Sequence, residues 1–158
     1  MSTGSEFTHL DDTGAARMVD VSQKNVTTRS AVATGFVRLS QACVKALRTG
    51  DVPKGDALAV ARIAGIMAAK RTPDLVPLCH PIALHGVEVA LDVRDDGVAI
   101  AATVRTADRT GVEMEALTSV TVAALSLIDM VKALDPAAVI TDVRVEEKTG
   151  GKTGHWHR

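Results

Sequence analysis

The segment from Gly111 to Leu134 constrains the fold most, because it is apolar on nearly every side. Leu117, Val120, Ala124, Leu127, Val131 and Leu134 recur at three- and four-residue steps and form one helical stripe. Val122, Leu125, Ile128 and Met130 fall off that stripe. A helix of this kind must be covered on more than one side. One small sheet covers a single side, so a partner subunit is the simplest second cover. Between Ala116 and Ala133 the only ionisable groups are Asp129 and Lys132. They stand three residues apart, about 60° round the helix, on the side away from the stripe and beside Leu125 and Ile128. That predicts a partly dry setting. Taken alone, such a pair is an ordinary helical ion pair worth a few tenths of a kcal/mol; its isolation argues for more.

The remainder of the chain reads as one domain of 158 residues, enough to bury roughly 70% of the unfolded surface. With 46% apolar residues but only 2% aromatic, its core is aliphatic. A net charge of −1 makes it no general polyanion binder, so an anion site has to be a local cluster of Lys and Arg. Cys43 and Cys79 have no paired spacing, which fits a reducing cytoplasm better than a disulfide scaffold. No charge-free apolar run reaches the roughly 18 residues of a membrane span, and the N-terminus has no secretory pattern. Residues 1–20 are polar and aperiodic, an extended arm; 21–148 form the α+β domain; 149–158 form a mobile basic tail.

Within the domain, "VTTRSAVATGFVRL" alternates as a strand. A short helix follows over Ser40–Arg48, ended by Gly50, and an Ala-rich helix over Gly55–Arg71. Pro73, Pro77 and Pro81 forbid a helix through "DLVPLCHPIALHG", Asp74 to Gly86, which therefore reads as a loop. "VEVALDV" and "VAIAATVRT" around "RDDG" make a hairpin, and "AVITDVRVEEK" supplies a last strand. The order β-α-α-β-β-α-β, with no internal repeat, predicts an antiparallel sheet with helices on one face, a ferredoxin-like α+β arrangement.

Several short motifs carry candidate chemistry. "GGKTG" in the tail imitates a phosphate loop, but the required first glycine is Glu146 and no helix follows. What survives is Lys148, Lys152 and glycines whose N–H groups can approach an anion, against a tail that is merely solvated. Cys79, His80 and His85 lack zinc-ligand spacing, and neighbouring side chains such as Cys79 and His80 diverge too much for a nucleophile and its base. Cys79 reads as a small buried filler. His80, on a loop pinned by prolines, is presented as a site residue is, though a lone loop histidine is as often incidental. Glu113 and Glu115 in the first turn of the long helix suit its dipole, and a carboxylate there can also accept two hydrogen bonds from a guanine-like N–H/NH₂ edge. Lys54, Lys70 and Arg71 bracket the Ala-rich helix, and what they face decides their value.

In order and spacing, "MVDVS", "KGDALAVARIAGIMAAKRTPDLVPLCHP", "TGVEMEALTSVTVAAL", "DMVKA" and "KTGGKTG" resemble the molybdenum cofactor biosynthesis protein C family, from about His9 to Gly154. The resemblance implies a ferredoxin-like subunit assembled as a hexamer, a trimer of dimers, with active sites at subunit interfaces. It implies a lyase of the cyclic pyranopterin monophosphate synthase type. Such an enzyme rearranges a cyclic dihydroguanosine triphosphate, made from GTP by a radical cyclase, with release of pyrophosphate. By the same resemblance Asp129 and Lys132 are the catalytic pair. Leu78, Cys79, His80, Met114 and Glu115 line the substrate, and Lys54, Glu113 and Arg29 share its pocket, with Lys70 and the tail's Lys152 as further contacts. No tightly bound cofactor is implied, and Mg²⁺ with the triphosphate stays open. Two positions depart from the family's pattern: Ile128 stands where an aromatic commonly precedes the aspartate, and Pro73 where Trp is frequent. Neither removes a reacting group. A ferredoxin-like nucleotide sensor would explain the basic loops but not a charged pair inside an apolar helix. RNA binding through the sheet needs stacking aromatics, and only Phe7, Phe36 and Trp156 exist, with no Tyr.

Overall fold

The computed structural model describes residues 8–158. The first seven residues of the expected N-terminal arm, Phe7 among them, lie outside the described residues. The chain then forms β1 (Thr27–Arg38), α1 (Gln41–Thr49), α2 (Ala57–Ala69), a one-turn α3 (Thr72–Leu75), β2 (Gly86–Arg94), β3 (Gly97–Asp108), α4 (Glu113–Val131), β4 (Val139–Thr149) and β5 (Trp156–His157). The strands lie in the order β2-β3-β1-β4-β5, each antiparallel to its neighbours. This is the α+β, ferredoxin-like arrangement that the strand and helix order predicts.

Alternation in β1 sets the core face. Ala31, Ala33, Gly35 and Val37 are buried while Ser30, Val32, Thr34 and Phe36 are half-buried on the other face, the two-residue period of a pleated strand. Ile100, Ala102 and Val104 of β3 join the same core. Across this face lies α4, with Val120, Ala123, Ala124, Leu127 and Val131 fully buried. Its second side is covered by α2. A Cβ on Gly65 of α2 would come 3.0 Å from the Ser119 carbonyl and 3.1 Å from Ala123 Cβ, so the missing side chain lets the helices meet closely. Part of the cover that was expected from a partner subunit thus comes from α2. Leu125 stays 59% exposed, as do Val60, Ile63 and Met67 in an outward stripe on α2 (42%, 58% and 58%). By length and composition α4 could cross a membrane, but half its span is buried in this core.

Two local expectations differ from the structure. Asp74 and Leu75, expected in a loop, belong to α3; Pro73 sits in its first turn, where a missing N–H removes no helical hydrogen bond. The long helix ends at Val131, not Leu134, with Lys132 as its C-cap. The chain after β4 folds back so that Lys148 pairs with Trp156 and Glu147 with His157. In the described part of the N-terminal segment the chain turns at Asp11, whose carboxylate accepts the N–H groups of Thr13 and Ala15.

Candidate active site

At the C-terminal end of α4, one carboxylate stands between two ammonium groups. Lys132 Nζ donates to Asp129 Oδ1 at 2.6 Å. Lys54 Nζ donates to Asp129 Oδ2 at 3.2 Å and to the Asp129 main-chain carbonyl at 2.9 Å. That carbonyl belongs to the last turn of α4, which has no partner within its own helix, so Lys54 both caps the helix and faces its dipole. The turn "VPKG" before α2 places Lys54 there, and Asp56 fixes the turn by capping α2 through the Ala59 N–H. The hydrogen bond from Lys132, then that from Lys54, hold the Asp129 carboxyl below its ordinary range. The expected dry setting is not found within one chain: the side chains of Asp129 and Lys132 are each 57% exposed.

At the opposite end of α4 a cavity of about 540 Å³ is lined by Leu78, Cys79 and His80 from the proline-pinned loop and by Glu113, Met114 and Glu115 from the helix start. The loop is fastened to β3 by the Thr106 hydroxyl, which donates to the Ala83 carbonyl at 2.6 Å. His80 Nε2 lies 2.5 Å from the Val19 carbonyl; a carbonyl only accepts, so this nitrogen carries the proton. Glu115 is buried at 2% exposure. Its Oε1 accepts from the Cys79 thiol at 3.4 Å, and its Oε2 has no partner. Burial raises the Glu115 carboxyl, assisted by the charge of Glu113, against the pull of its own backbone N–H, Cys79 and His80. Burial, then the charge of Glu115, push the Cys79 thiol up to about 11.

Beside that cavity is a smaller one of about 210 Å³, which shares Lys24, Thr110, Gly111 and Glu113 with it. Lys24, Arg29, Lys148 and Lys152 line this cleft, with Glu113 the one carboxylate among its lining residues. Lys148 and Glu113 pair at 3.1 Å. Arg29 Nε donates to the Asp108 carbonyl, which anchors the side chain at one end of the cleft. A net cationic hollow joined to a cavity with a buried carboxyl suits a molecule with a phosphate chain on one side and N–H groups on the other.

Within one chain the expected site residues therefore fall into two groups. Arg29, Leu78, Cys79, His80, Glu113, Met114, Glu115 and Lys152 gather at the start of α4; Lys54, Asp129 and Lys132 gather at its end. From Glu115 to Asp129 the helix runs fourteen residues, about 21 Å at 1.5 Å per residue, so Lys54 does not share a pocket with Glu113 and Arg29 in a single subunit. Lys70, exposed at the end of α2, lines neither cavity. Sequence reading missed Lys24. It lies in an aperiodic polar stretch, which the tie from Arg109 Nε to its carbonyl brings to the cleft. Among the described residues no three His, Cys, Asp or Glu side chains converge as a metal cage.

An α+β domain with a carboxylate held by two ammonium groups, and a cationic cleft beside a buried carboxyl, has the equipment of an enzyme that moves protons on a small anionic substrate. The MoaC family profile matches residues 18–151, and the chain belongs to that family. It is 68% identical to the cyclic pyranopterin monophosphate synthase of Streptomyces griseus over 158 residues, covering 100% of this chain and 89% of the relative. The same name is carried by a Nocardioides protein, 66% identical over 96% of this chain and 95% of the relative. A cyclic pyranopterin monophosphate synthase 2 of Mycobacterium tuberculosis is 59% identical over 97% and 92%.

Proposed function

We propose that this chain is a cyclic pyranopterin monophosphate synthase, a lyase that converts the cyclic dihydroguanosine triphosphate made from GTP by a radical cyclase into cyclic pyranopterin monophosphate and pyrophosphate. The observation that carries this reading is the Lys54–Asp129–Lys132 cluster, where the turn before α2 meets the end of α4 in a chain similar over its whole length to the named relative of Streptomyces griseus. Asp129 is ionised at neutral pH and is the base of the pair; Lys132, bonded to it, delivers and recovers protons during the ring rearrangement. The guanine-derived ring lies against Glu115, Met114, Leu78 and His80, and the phosphates lie in the cleft of Arg29, Lys24, Lys148 and Lys152. Cations there stabilise the charge that develops as pyrophosphate leaves.

The working site is assembled from two subunits, because one chain keeps its two half-sites about 21 Å apart. The exposed stripe of Val60, Ile63 and Met67 with Leu125 supports an apolar contact between copies, and the assembly is a hexamer built as a trimer of dimers. The enzyme works in the cytoplasm next in sequence to the radical cyclase, without nucleic acid or membrane. It holds no resident cofactor. Near the cleft, Glu113 is already paired with Lys148 and Glu115 is pushed toward its neutral form, a poor donor set for Mg²⁺; any Mg²⁺ arrives on the triphosphate. The test is incubation with the cyclised triphosphate. Stoichiometric pyrophosphate and the cyclic monophosphate are expected, whereas a nucleotide sensor would bind the triphosphate and leave it intact.

A further inference from the structure

Beyond β4 the chain makes a hairpin whose loop carries one of the cleft's cations. Thr149 ends β4, Trp156 begins β5, and the six residues between them, Gly150–His155, include Lys152. Gly150, Gly151 and Gly154 have left-handed φ angles of +86°, +75° and +66°, and the Gly154 N–H donates to the Gly151 carbonyl at 3.3 Å. These turns bring Lys152 and Thr153 to the wall of the cleft that Arg29 and Lys148 also line. A loop so rich in glycine has much conformational freedom to lose on ordering, so both of its ends have to be held.

The entry end is held by β1, where the Ser30 and Thr149 hydroxyls share a hydrogen bond at 2.7 Å. The exit end is held by β5, which has only two residues, Trp156 opposite Lys148 and His157 opposite Glu147. So short a strand is marginal on its backbone bonds alone. Arg158 reinforces it. Its N–H donates to the Glu146 carbonyl at 2.9 Å, and its Nε donates to the Val145 carbonyl at 3.0 Å. Its guanidinium also lies 5.7 Å from the centre of the Trp156 ring, within cation–π reach. His155 Nε2 adds a bond to Glu147 Oε1 at 2.9 Å. Trp156 borders a hollow of about 480 Å³ together with Lys148 and Thr153, so its ring faces the same space as two residues of the cleft.

We propose that Trp156 and Arg158 are positioning residues: clasped together on β4, they close the hairpin and hold Lys152 in the cleft, where its ammonium meets a diphosphate or triphosphate group. The assignment of the cleft to phosphates rests on the proposed synthase reading; the clasp rests on its own contacts.

Trp156 is the only tryptophan in the chain, so fluorescence of the full-length protein reads the clasp directly. Arg158→Ala uncovers one side of the ring and is expected to make its emission more readily quenched by acrylamide. Calorimetry with inorganic pyrophosphate reads the consequence for the cleft. Trp156→Ala and Arg158→Ala are each expected to weaken binding about tenfold, the loss of one charge-assisted contact. Trp156→Phe, which keeps a ring face for Arg158, should recover most of it. Lys152→Ala should weaken binding by a similar factor, and adding Trp156→Ala to it should weaken binding no further, because both changes remove one contact. Unchanged quenching in Arg158→Ala, parent-like pyrophosphate binding by Trp156→Ala, or losses that multiply in the double variant would each overturn the clasp. A parent protein that shows the coupling with pyrophosphate yet leaves the cyclised triphosphate intact would overturn the synthase reading and keep the clasp. Circular dichroism melts establish that each variant is folded.

Discussion

Gly151→Ala separates the binding role of Arg29 from backbone strain. Gly151 has φ +75°, and a Cβ added there would sit 2.4 Å from Arg29 Nη1 and 3.1 Å from its Cζ. Gly154, three residues on, has φ +66° with nothing within 4 Å of an added Cβ. Alanine at either position carries the left-handed backbone penalty, ~1–2 kcal/mol. Only at Gly151 must a guanidinium move as well, and it can, because it ends a flexible side chain. Swinging Arg29 out of the cationic cleft removes a charge-assisted contact to phosphate, worth ~1.5–3 kcal/mol, or roughly 10- to 100-fold in affinity. Thermal melts should therefore show similar losses for Gly151→Ala and Gly154→Ala, while pyrophosphate titration calorimetry shows weakened binding for Gly151→Ala alone. Arg29→Ala should match that weakening, and the double variant should add little to it, because both changes remove one contact. Equal binding by the two glycine variants would refute the assignment of Arg29 to the phosphates.

The half-sites yield further tests. Asp129→Asn and Lys132→Ala should each lower turnover by about 10²-fold or more with little change in thermal stability, since exposed ion pairs contribute only ~0–1 kcal/mol. Lys132→Arg keeps the charge but does not readily release a proton, so it should stay inactive; near-native turnover would reduce Lys132 to a phosphate clamp. The Asp129 carboxyl is depressed below 3.8, so its interactions are intact above that value and are lost as pH falls through the lower folded-state pKa. Rates that decline on the acid side already near pH 6 would have to come from another group. Glu115 has the opposite sign. Its carboxyl is raised above 4.5, so its neutral form favours folding at low pH and that contribution is lost as pH rises through the folded-state value. Glu115→Gln should accordingly gain thermal stability over the parent as pH rises from about 4.5, read from melts between pH 4 and 8.

Much of the fold was legible because local rules agree with tertiary demands. Ser40 and Asp56 cap their helices, and the alternation of Ala31 to Val37 matches its burial. Where legibility failed, the deciding contact was distant in sequence. No local pattern tells that Gly65 brings α2 against Ser119 and Ala123 and supplies the second cover for α4. Nor does any pattern tell that Arg109 draws Lys24 to the cleft, or that the tail returns to β4. Within the site, the isolation of Asp129 and Lys132 singled them out, but periodicity could not show that α4 ends beside them and leaves both exposed. Cys79 read as a filler because its partner, Glu115, lies thirty-six residues away. The separation of the two half-sites follows from helix length alone once Glu113–Val131 is known to be one continuous helix.

Co-expression of two separately inactive variants tests the shared site most directly. Asp129→Asn damages one half-site and His80→Ala the other. If one active site takes Asp129 from one subunit and His80 from its partner, each mixed pair holds one intact site. Random pairing then restores pyrophosphate release to about a quarter of the parent rate. If both groups act within a single chain, every subunit in the mixture is damaged, and the co-expressed protein stays as inactive as either variant alone.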